Sequence, residues 1–428
     1  MTALAHALLA PDEALPARDQ LLDTDVARSL VGLHLGRPGG PPITGCRRIK
    51  AKYRIGESLR VLFRVEVAGG SHFVAARMFP GGRAHTVYRE ALCHAVDGGP
   101  LLPIGCDETS GTVFWTFPND RRIRHLAALL QPRADFDAAL AGRWAETRVV
   151  AYAPERAATA QCLAADGAVL GYAKVYAGDD GARSRELHDR LVRAVGSAAE
   201  LQLPRALAYA ESERLLVVEP LAGDPVGAFE PSRRIEGYRK LGAALARLHS
   251  APVQLDEQFR RLEPTRLQQA SRLVGWARPE LAAISARLSR ELTTRFRPGH
   301  DPQVCLHGDV NSRNWLLQED RVALIDLDQV AMGPAAADLG GAIAGLLYRE
   351  ITHEWSGTEA GALRQALCAG YDAIRPLPSS DALRWHTAAA LLAERALRAV
   401  TRFRVDGLMH LAGLLTAALD QLEVPTHV

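Results

Sequence analysis

The residues best suited to chemistry lie in Leu306-His307-Gly308-Asp309-Val310-Asn311-Ser312-Arg313-Asn314-Trp315-Leu316-Leu317 and, just beyond it, Val322-Ala323-Leu324-Ile325-Asp326-Leu327-Asp328. Two apolar runs flank a polar turn that presents Asp309 and, five positions on, Asn314; Asp326 closes the next apolar strand. Mg2+ takes hard oxygen ligands, and an amide carbonyl with a carboxylate supplies them. A carboxylate placed against a hydroxyl can orient it and take its proton. Asp309, Asn314 and Asp326 meet if the turn folds against the following hairpin. Fixing His-Gly-Asp, the Asn and the later Asp at set spacings has a chance probability on the order of one in several thousand. His-Gly-Asp alone would carry little.

The elements around this segment set its frame. At 428 residues the chain is too long for one ordinary core. Beyond about residue 223 the pattern is helical. Residues 232–250 place Ile235, Tyr238, Leu241, Leu245 and Leu248 three and four apart, with Ser232 as a candidate N-cap. Residues 338–348, 361–374 and 382–401 also read as helices. Upstream, short helical patterns and a Gly/Pro linker at 36–42 lead into strands. The run 61–67, the Gly69-Gly70 turn and the run 72–79 predict a hairpin, and 126–142 predicts a helical bridge.

The strand-rich pattern then occurs a second time. Tyr53 opens one copy and Tyr152 the other; each leads to a strand, a turn and a strand ending in a cation, Arg77 or Lys174. Arg89-Glu90 and Arg185-Glu186 follow, each on a predicted helix, and each copy ends in a further strand pair. The tyrosine-to-cation gaps differ by two residues and the cation-to-glutamate gaps by one. The expected fold class is α+β, a duplicated β-rich part followed by a large helical part.

In these motifs the chain resembles the aminoglycoside phosphotransferase and choline kinase group, the small-molecule branch of the protein-kinase-like fold. The resemblance rests on "HGDVNSRN", "IDLDQ", Asp338-Leu339-Gly340 and "LGAALARLHS" at 241–250, and covers about residues 145–350. It implies that Asp309 is the catalytic base, that Asn314 and Asp326 hold Mg2+, and that ATP is the co-substrate. It further implies that Lys174 grips the α- and β-phosphates, with Glu186 as its helix partner. Glu219-Pro220-Leu221 would meet adenine through backbone groups. His307 and Asp338 take structural roles in this family. Gly308 stands where regulated protein kinases carry an arginine, and "DLD" replaces Asp-Phe-Gly, so small hydroxylated acceptors fit better than protein. The implied organisation is an N-terminal helical segment and linker (1–40), a degenerate N-lobe-like cap (41–144), an N-lobe (145–225) and a helical C-lobe (226–428). Arg77 in place of lysine marks the first copy as degenerate. The second copy has "YAPERA" where the first has Gly56, so its phosphate cover lacks a glycine.

Composition narrows the partners. A net charge of +2 offers no broad footprint for nucleic acid or an anionic membrane. No apolar stretch reaches the roughly 18 residues of a span. The apolar start at 1–10 lacks a basic region and runs into Pro11-Asp12-Glu13, unlike a signal peptide. Six scattered cysteines show no metal spacing and suit a reducing compartment, so the expected location is cytoplasmic. Expected partners are ATP and a small-molecule hydroxyl acceptor, with neither nucleic acid nor membrane. The assignments have plainer counterparts: Lys174 as an exposed edge lysine, Glu186 as a solvated helix residue, and His249 as a helix-end donor; Arg313 either reaches the γ-phosphate or is a surface cation, and Asp328 either helps hold a second metal or accepts backbone amides. A pseudokinase that binds nucleotide or metabolite is the alternative function, and a protein kinase the third. Arg395, Arg398, Arg402 and Arg404 cluster late in the chain; lining a cleft, they would disfavour a polycationic acceptor and admit a neutral or anionic one.

Overall fold

Strands fill the first half of the chain and helices the second, as the change of hydrophobic period from two to three-and-four predicts. The computed structural model describes residues 8–196, 198–297 and 301–423. Most of the apolar start, residues 1–7, lies outside the described residues. The chain divides into two units. The first holds the chain up to Arg185 with Ala206–Pro220 and Thr401–Val405; the second holds Glu186–Arg205, Leu221–Val400 and the chain from Asp406 on.

Two antiparallel sheets of the same topology form the first unit. One comprises β1 (Ile43–Arg54), β2 (Ser58–Val67), β3 (Gly70–Met78), β4 (Ile104–Asp107) and β5 (Thr112–Thr116), in the order β1-β2-β3-β5-β4. The other comprises β6 (Glu146–Ala153), β7 (Ala157–Leu163) and β8 (Val169–Tyr176). After β9 (Leu201–Gln202) of the second unit come β10 (Ala206–Ala210) and β11 (Leu215–Val218), giving the order β6-β7-β8-β11-β10. A helix follows the third strand in each case, Arg83–Leu92 and Asp180–Val195. Arg54 faces Ser58 and Tyr53 faces Leu59 in the first sheet; Ala153 faces Ala157 and Tyr152 faces Ala158 in the second. Register thus aligns Gly56 with Glu155, both with positive φ (72° and 62°), and Arg77 with Lys174.

The repeat extends to polar detail. Tyr53 Oη donates to Asp12 Oδ2 at 2.6 Å, and the Gly56 amide donates to the same oxygen at 2.9 Å. Tyr152 Oη and the Glu155 amide converge on Asp120 Oδ2 at 2.7 and 2.8 Å. Buried Leu62, Val113, Trp115, Ala173, Val175 and Val217 share one core drawn from both sheets. The predicted helical bridge at 126–142 is instead two short 3-10 turns, Leu126–Leu130 and Ala134–Phe136. Pro132 lies between them and cannot continue a helix from the preceding turn.

In the second unit the helix Pro231–His249 begins one residue before the predicted start. Glu230 is its N-cap and Pro231 its first residue, so Ser232 does not cap it. Proline suits that place because its missing N–H would have had no helical partner. This helix packs closely on Gly357–Asp372: a Cβ at Gly242 would lie 2.0 Å from Leu367 O, and one at Gly370 1.9 Å from Arg239 O. Both contacts require glycine. Two small β elements carry the turn with Asp309. β13 (Gln303–Leu306) pairs antiparallel with β16 (Ala331–Pro334); β14 (Trp315–Leu317) and β15 (Val322–Leu324) form a hairpin, flanked by β12 (Asp224–Pro225) and β9. Trp315, 1% exposed, packs edge-on against Tyr238 and anchors the hairpin in a core with Leu241, Leu245 and Leu339. Among the described residues no helix is long and apolar enough to cross a membrane. All six cysteines are free; Cys162 and Cys305 are buried and Cys93 is exposed.

Candidate active site

β13 delivers His307-Gly308-Asp309, and β14 begins immediately after Asn314. The Asn314 Nδ2 donates to Asp309 O at 3.0 Å and to Asp309 Oδ2 at 3.2 Å. The backbone carbonyl of Asn314 accepts from the Ile325 amide at 2.9 Å, which sets Asp326 directly beyond the same hairpin. Asp309 and Asn314 are therefore joined in one local structure, and Asp326 follows the Ile325 that is bonded to it. Asn314 is buried, and with its nitrogen spent on Asp309 its side-chain oxygen accepts no described hydrogen bond. Asp326 sits at positive φ (60°) on the exposed end of β15. An amide oxygen and a carboxylate at one hairpin end fit the hard-donor chemistry of Mg2+.

The turn is held from below. Asp338, 2% exposed, accepts from the His307 amide at 2.7 Å and the Gly308 amide at 2.8 Å. His249 Nε2 donates to Asp338 Oδ2 at 3.1 Å, and Nδ1 accepts from the Tyr371 hydroxyl at 3.0 Å; this tautomer satisfies all three groups. Burial raises the Asp338 carboxyl, but its bonds and charges from His249 and His307 and the Gly308 amide outweigh that and hold it below the ordinary value. His249, read from sequence as a helix-end donor, is a buried support of the turn that carries Asp309. His307 is structural too: its Nε2 donates to Ile325 O at 3.0 Å. Gly308 has φ 75°, and a Cβ there would lie 2.1 Å from Gln329 O. No other residue fits.

Comparison with known families places this arrangement. The family model described as "Phosphotransferase enzyme family" matches residues 174–377. That segment, just under half of the chain, is similar to the phosphotransferase enzyme family. The match opens on Lys174 and encloses Asp309, Asn314, Asp326 and Asp338. Among solved structures, the chain is similar to the apo form of a thermostable mutant of aminoglycoside phosphotransferase APH(4)-Ia (16% identity, 69% of this chain and 100% of that one, TM-score 0.47). It is also similar to aminoglycoside phosphotransferase APH(3'')-Id from Streptomyces rimosus ATCC10970 (21% identity, 58% and 92%, TM-score 0.42). A third is a choline/ethanolamine kinase family protein from Mesorhizobium loti (13% identity, 66% and 89%, TM-score 0.43). The comparison with curated proteins gives no match. The family match encloses the Asp309 turn and its hairpin, within a chain of mixed α+β fold.

The remaining residues predicted for this phosphotransferase site fall as follows. Lys174 lies on β8, half-buried, with Nζ 5.0 Å from the centre of the Tyr176 ring. Glu186 is 73% exposed on the helix Asp180–Val195 and lies 3.8 Å from Arg190, one turn on. The inward face of that helix carries Gly181, Ser184, His188 and Leu191 instead. Glu219 and Leu221 lie half-buried in the irregular stretch that follows β11. Arg313 is exposed and Asp328 half-buried.

Two arginines were not assigned to the base by sequence. Arg398 Nη1 lies 3.5 Å and Arg261 Nη1 3.9 Å from Asp309 Oδ1. Burial raises the Asp309 carboxyl, yet the charges of Arg398, Arg261, His307 and Arg395 prevail and hold it below its ordinary value. The predicted helix at 382–401 is interrupted: Ser380–Ala390 gives way to a π-helical stretch, Leu391–Ala396, before Leu397–Arg402. That widening buries Glu394 and Arg395 together, and such turns recur at functional sites. Arg395 Nη2 donates to Gly341 O at 2.8 Å. Arg395 and Arg398 belong to the second unit, Arg402 and Arg404 to the first.

Proposed function

We propose that this protein transfers the γ-phosphoryl group of ATP to a hydroxyl of a small molecule, with Mg2+. The observation that carries the reading is the bond from Asn314 Nδ2 to Asp309 Oδ2, made at the hairpin end where the Ile325 amide donates to Asn314 O. In the proposed reaction the acceptor hydroxyl hydrogen-bonds to Asp309. Its oxygen forms a bond to the γ-phosphorus as the bond to the β,γ-bridging oxygen breaks; ADP leaves and the hydroxyl proton passes to the carboxylate. Asn314 orients Asp309 through its N–H, and Asp338 keeps the turn in place through the His307 and Gly308 amides. Asn314 and Asp326 would hold Mg2+, which when bound neutralises phosphate charge. Lys174 would hold the α- and β-phosphates as a compact cation. Little covalent work falls to the protein; positioning and electrostatics supply most of the rate.

The test is ADP release from Mg2+-ATP across a panel of sugars, amino alcohols, hydroxy acids and antibiotics. With the accepted substrate, Asp309→Asn should lower kcat by about 10²–10⁴-fold, the usual contribution of a positioned base, while near-ultraviolet circular dichroism stays that of the parent. Undiminished turnover in that variant removes Asp309 from the mechanism.

A further inference from the structure

We propose that Arg261 and Arg398 form a fork for an anionic group on the acceptor, so that the molecule phosphorylated here carries a carboxylate or phosphate beside its reacting hydroxyl. This rests on the reading of Asp309 as the group that receives that hydroxyl.

The two guanidiniums bracket the base without being satisfied by it. Their contacts with Asp309 Oδ1, 3.9 and 3.5 Å, are too long for hydrogen bonds, which run to about 3.2 Å for an N–H donor. Glu394 is their other carboxylate, 3.3 Å from Arg261 and 4.0 Å from Arg398, and neither contact is a described hydrogen bond. Charge is balanced across these four side chains; hydrogen bonding is not. Arg261 Nη2 is buried and has no hydrogen-bond partner among the described residues. The two arginine side chains remain 28% and 23% exposed, so their other donors can meet an acceptor that arrives from outside. A planar guanidinium pair matches the oxygens of a carboxylate or phosphate two at a time.

The same arrangement speaks against a cationic acceptor. An ammonium brought to Asp309 would meet two like charges within the reach of its hydroxyl, an unfavourable pairing that selects against polyamines. Arg398 also lies beyond the segment matched by the family model, which ends at residue 377. It reaches Asp309 from the helix Leu397–Arg402 that follows the π-helical stretch.

The test uses the full chain with Mg2+ and a non-hydrolysable ATP analogue bound, so that sites for nucleotide phosphates are filled. Glycerol, glycerate and glycerol 3-phosphate are then titrated by calorimetry. At least one of the two anions is expected to bind saturably where glycerol does not. Arg261→Gln and Arg398→Gln should each weaken that binding roughly ten- to a hundredfold, the loss of one charge-assisted hydrogen bond. Arg398→Lys, which keeps the charge but not the fork, should fall between, and unfolding midpoints identify any variant that has lost its fold. Absence of saturable binding by both anions, or equal affinity in folded Gln variants, overturns the proposal. So does weakening of the ATP analogue in place of the anion, which would give the arginines to the transferred phosphoryl group. Failure of the underlying reading is seen separately, as full turnover in Asp309→Asn.

Discussion

The carboxylate of Glu155 lies on the guanidinium of Arg77, so the turn of one sheet is fastened to the residue that its sister sheet has in register with Lys174. Arg60 and Arg121 complete the contact, with Arg60 Nη2 at 2.6 Å from Oε2 and Arg121 Nε at 2.7 Å from Oε1. The first sheet has Gly56 at the register position of Glu155. What reads in sequence as a missing glycine in a phosphate-covering turn is, in the fold, a glutamate used as an anchor. Arg77 is thereby taken up by protein, and burial still brings its guanidinium down to about 10 despite Glu155.

Removing that anchor should be expensive. Glu155 has a side chain only 5% exposed and three arginines around it; Glu155→Gln leaves buried cations without their counter-charge, a change that costs about 3–5 kcal/mol in comparable settings. Urea unfolding of the two proteins checks this. The pH dependence has a definite sign. Burial raises the Glu155 carboxyl, but Arg121, Arg60 and Arg77 overcome it and hold it below 4.5 in the folded chain. Its contribution is therefore whole above about pH 4.5 and is lost as pH falls through the lowered value. The parent should lose stability in that acid window more steeply than Glu155→Gln. Parallel acid limbs would show that the cluster does not carry the effect.

Asp338 holds two amides of the catalytic turn with one carboxylate, so it can be separated from the chemistry by comparing stability with rate. Asp338→Asn presents N–H where the His307 and Gly308 amides need an acceptor. Each bond to a charged group is worth about 1.5–3 kcal/mol, and a stability loss of at least one such bond is expected, together with a fall in kcat. Tyr371→Phe removes the outermost bond of the chain, to His249 Nδ1, along with the hydroxyl's contact to Arg375, and should cost about 1 kcal/mol with kcat little changed. Chemical denaturation alongside ADP release distinguishes the two; equal stability of Asp338→Asn and the parent would count against the supporting role.

Gly308→Ala is the sharpest steric test. The residue combines positive φ with a carbonyl oxygen 2.1 Å from the site of a Cβ. Strain and overlap fall on the turn between His307 and Asp309, and Gln329 O belongs to the backbone and cannot swing aside. Loss of most turnover is expected, with destabilisation beyond the roughly 1–2 kcal/mol that the left-handed region costs an L-residue. Near-parental kcat would mean that the turn can relax.

How much of this was legible in sequence depends on distance along the chain. Asp309, Asn314 and Asp326 could be read because a single turn and hairpin bring them together, and local spacing encodes local geometry. The duplicated sheets were legible for the same reason: alternation and turn glycines repeat. Asp12 and Asp120 were not, since nothing local marks them as partners of Tyr53 and Tyr152. Arg261 and Arg398 escaped because they meet Asp309 only through tertiary packing, and because the π-helical stretch at Leu391–Ala396 breaks the period on which helix faces are assigned. The helix expected at 126–142 is broken at Pro132, because apolar spacing carries no trace of a residue that cannot donate the helical bond.

Asn314 should separate orientation of the base from metal holding. Its nitrogen donates to Asp309 while its oxygen remains for a cation, so substitutions can remove the two functions in turn. Asn314→Asp keeps oxygen donors and adds charge but loses the N–H, and it sets a second carboxylate within about 3 Å of the first, where like charges repel. The expected result is an undiminished response to Mg2+ with kcat lowered roughly ten- to a hundredfold, the worth of one charge-assisted bond. Asn314→Ala loses both functions, so the Mg2+ concentration for half-maximal rate should rise as kcat falls. Rates of ADP release measured against Mg2+ concentration for parent and both variants resolve the two effects. If Asn314→Asp turned over at the parental rate, the hydrogen bond to Asp309 would have no part in catalysis, and the residue's role would be confined to the cation.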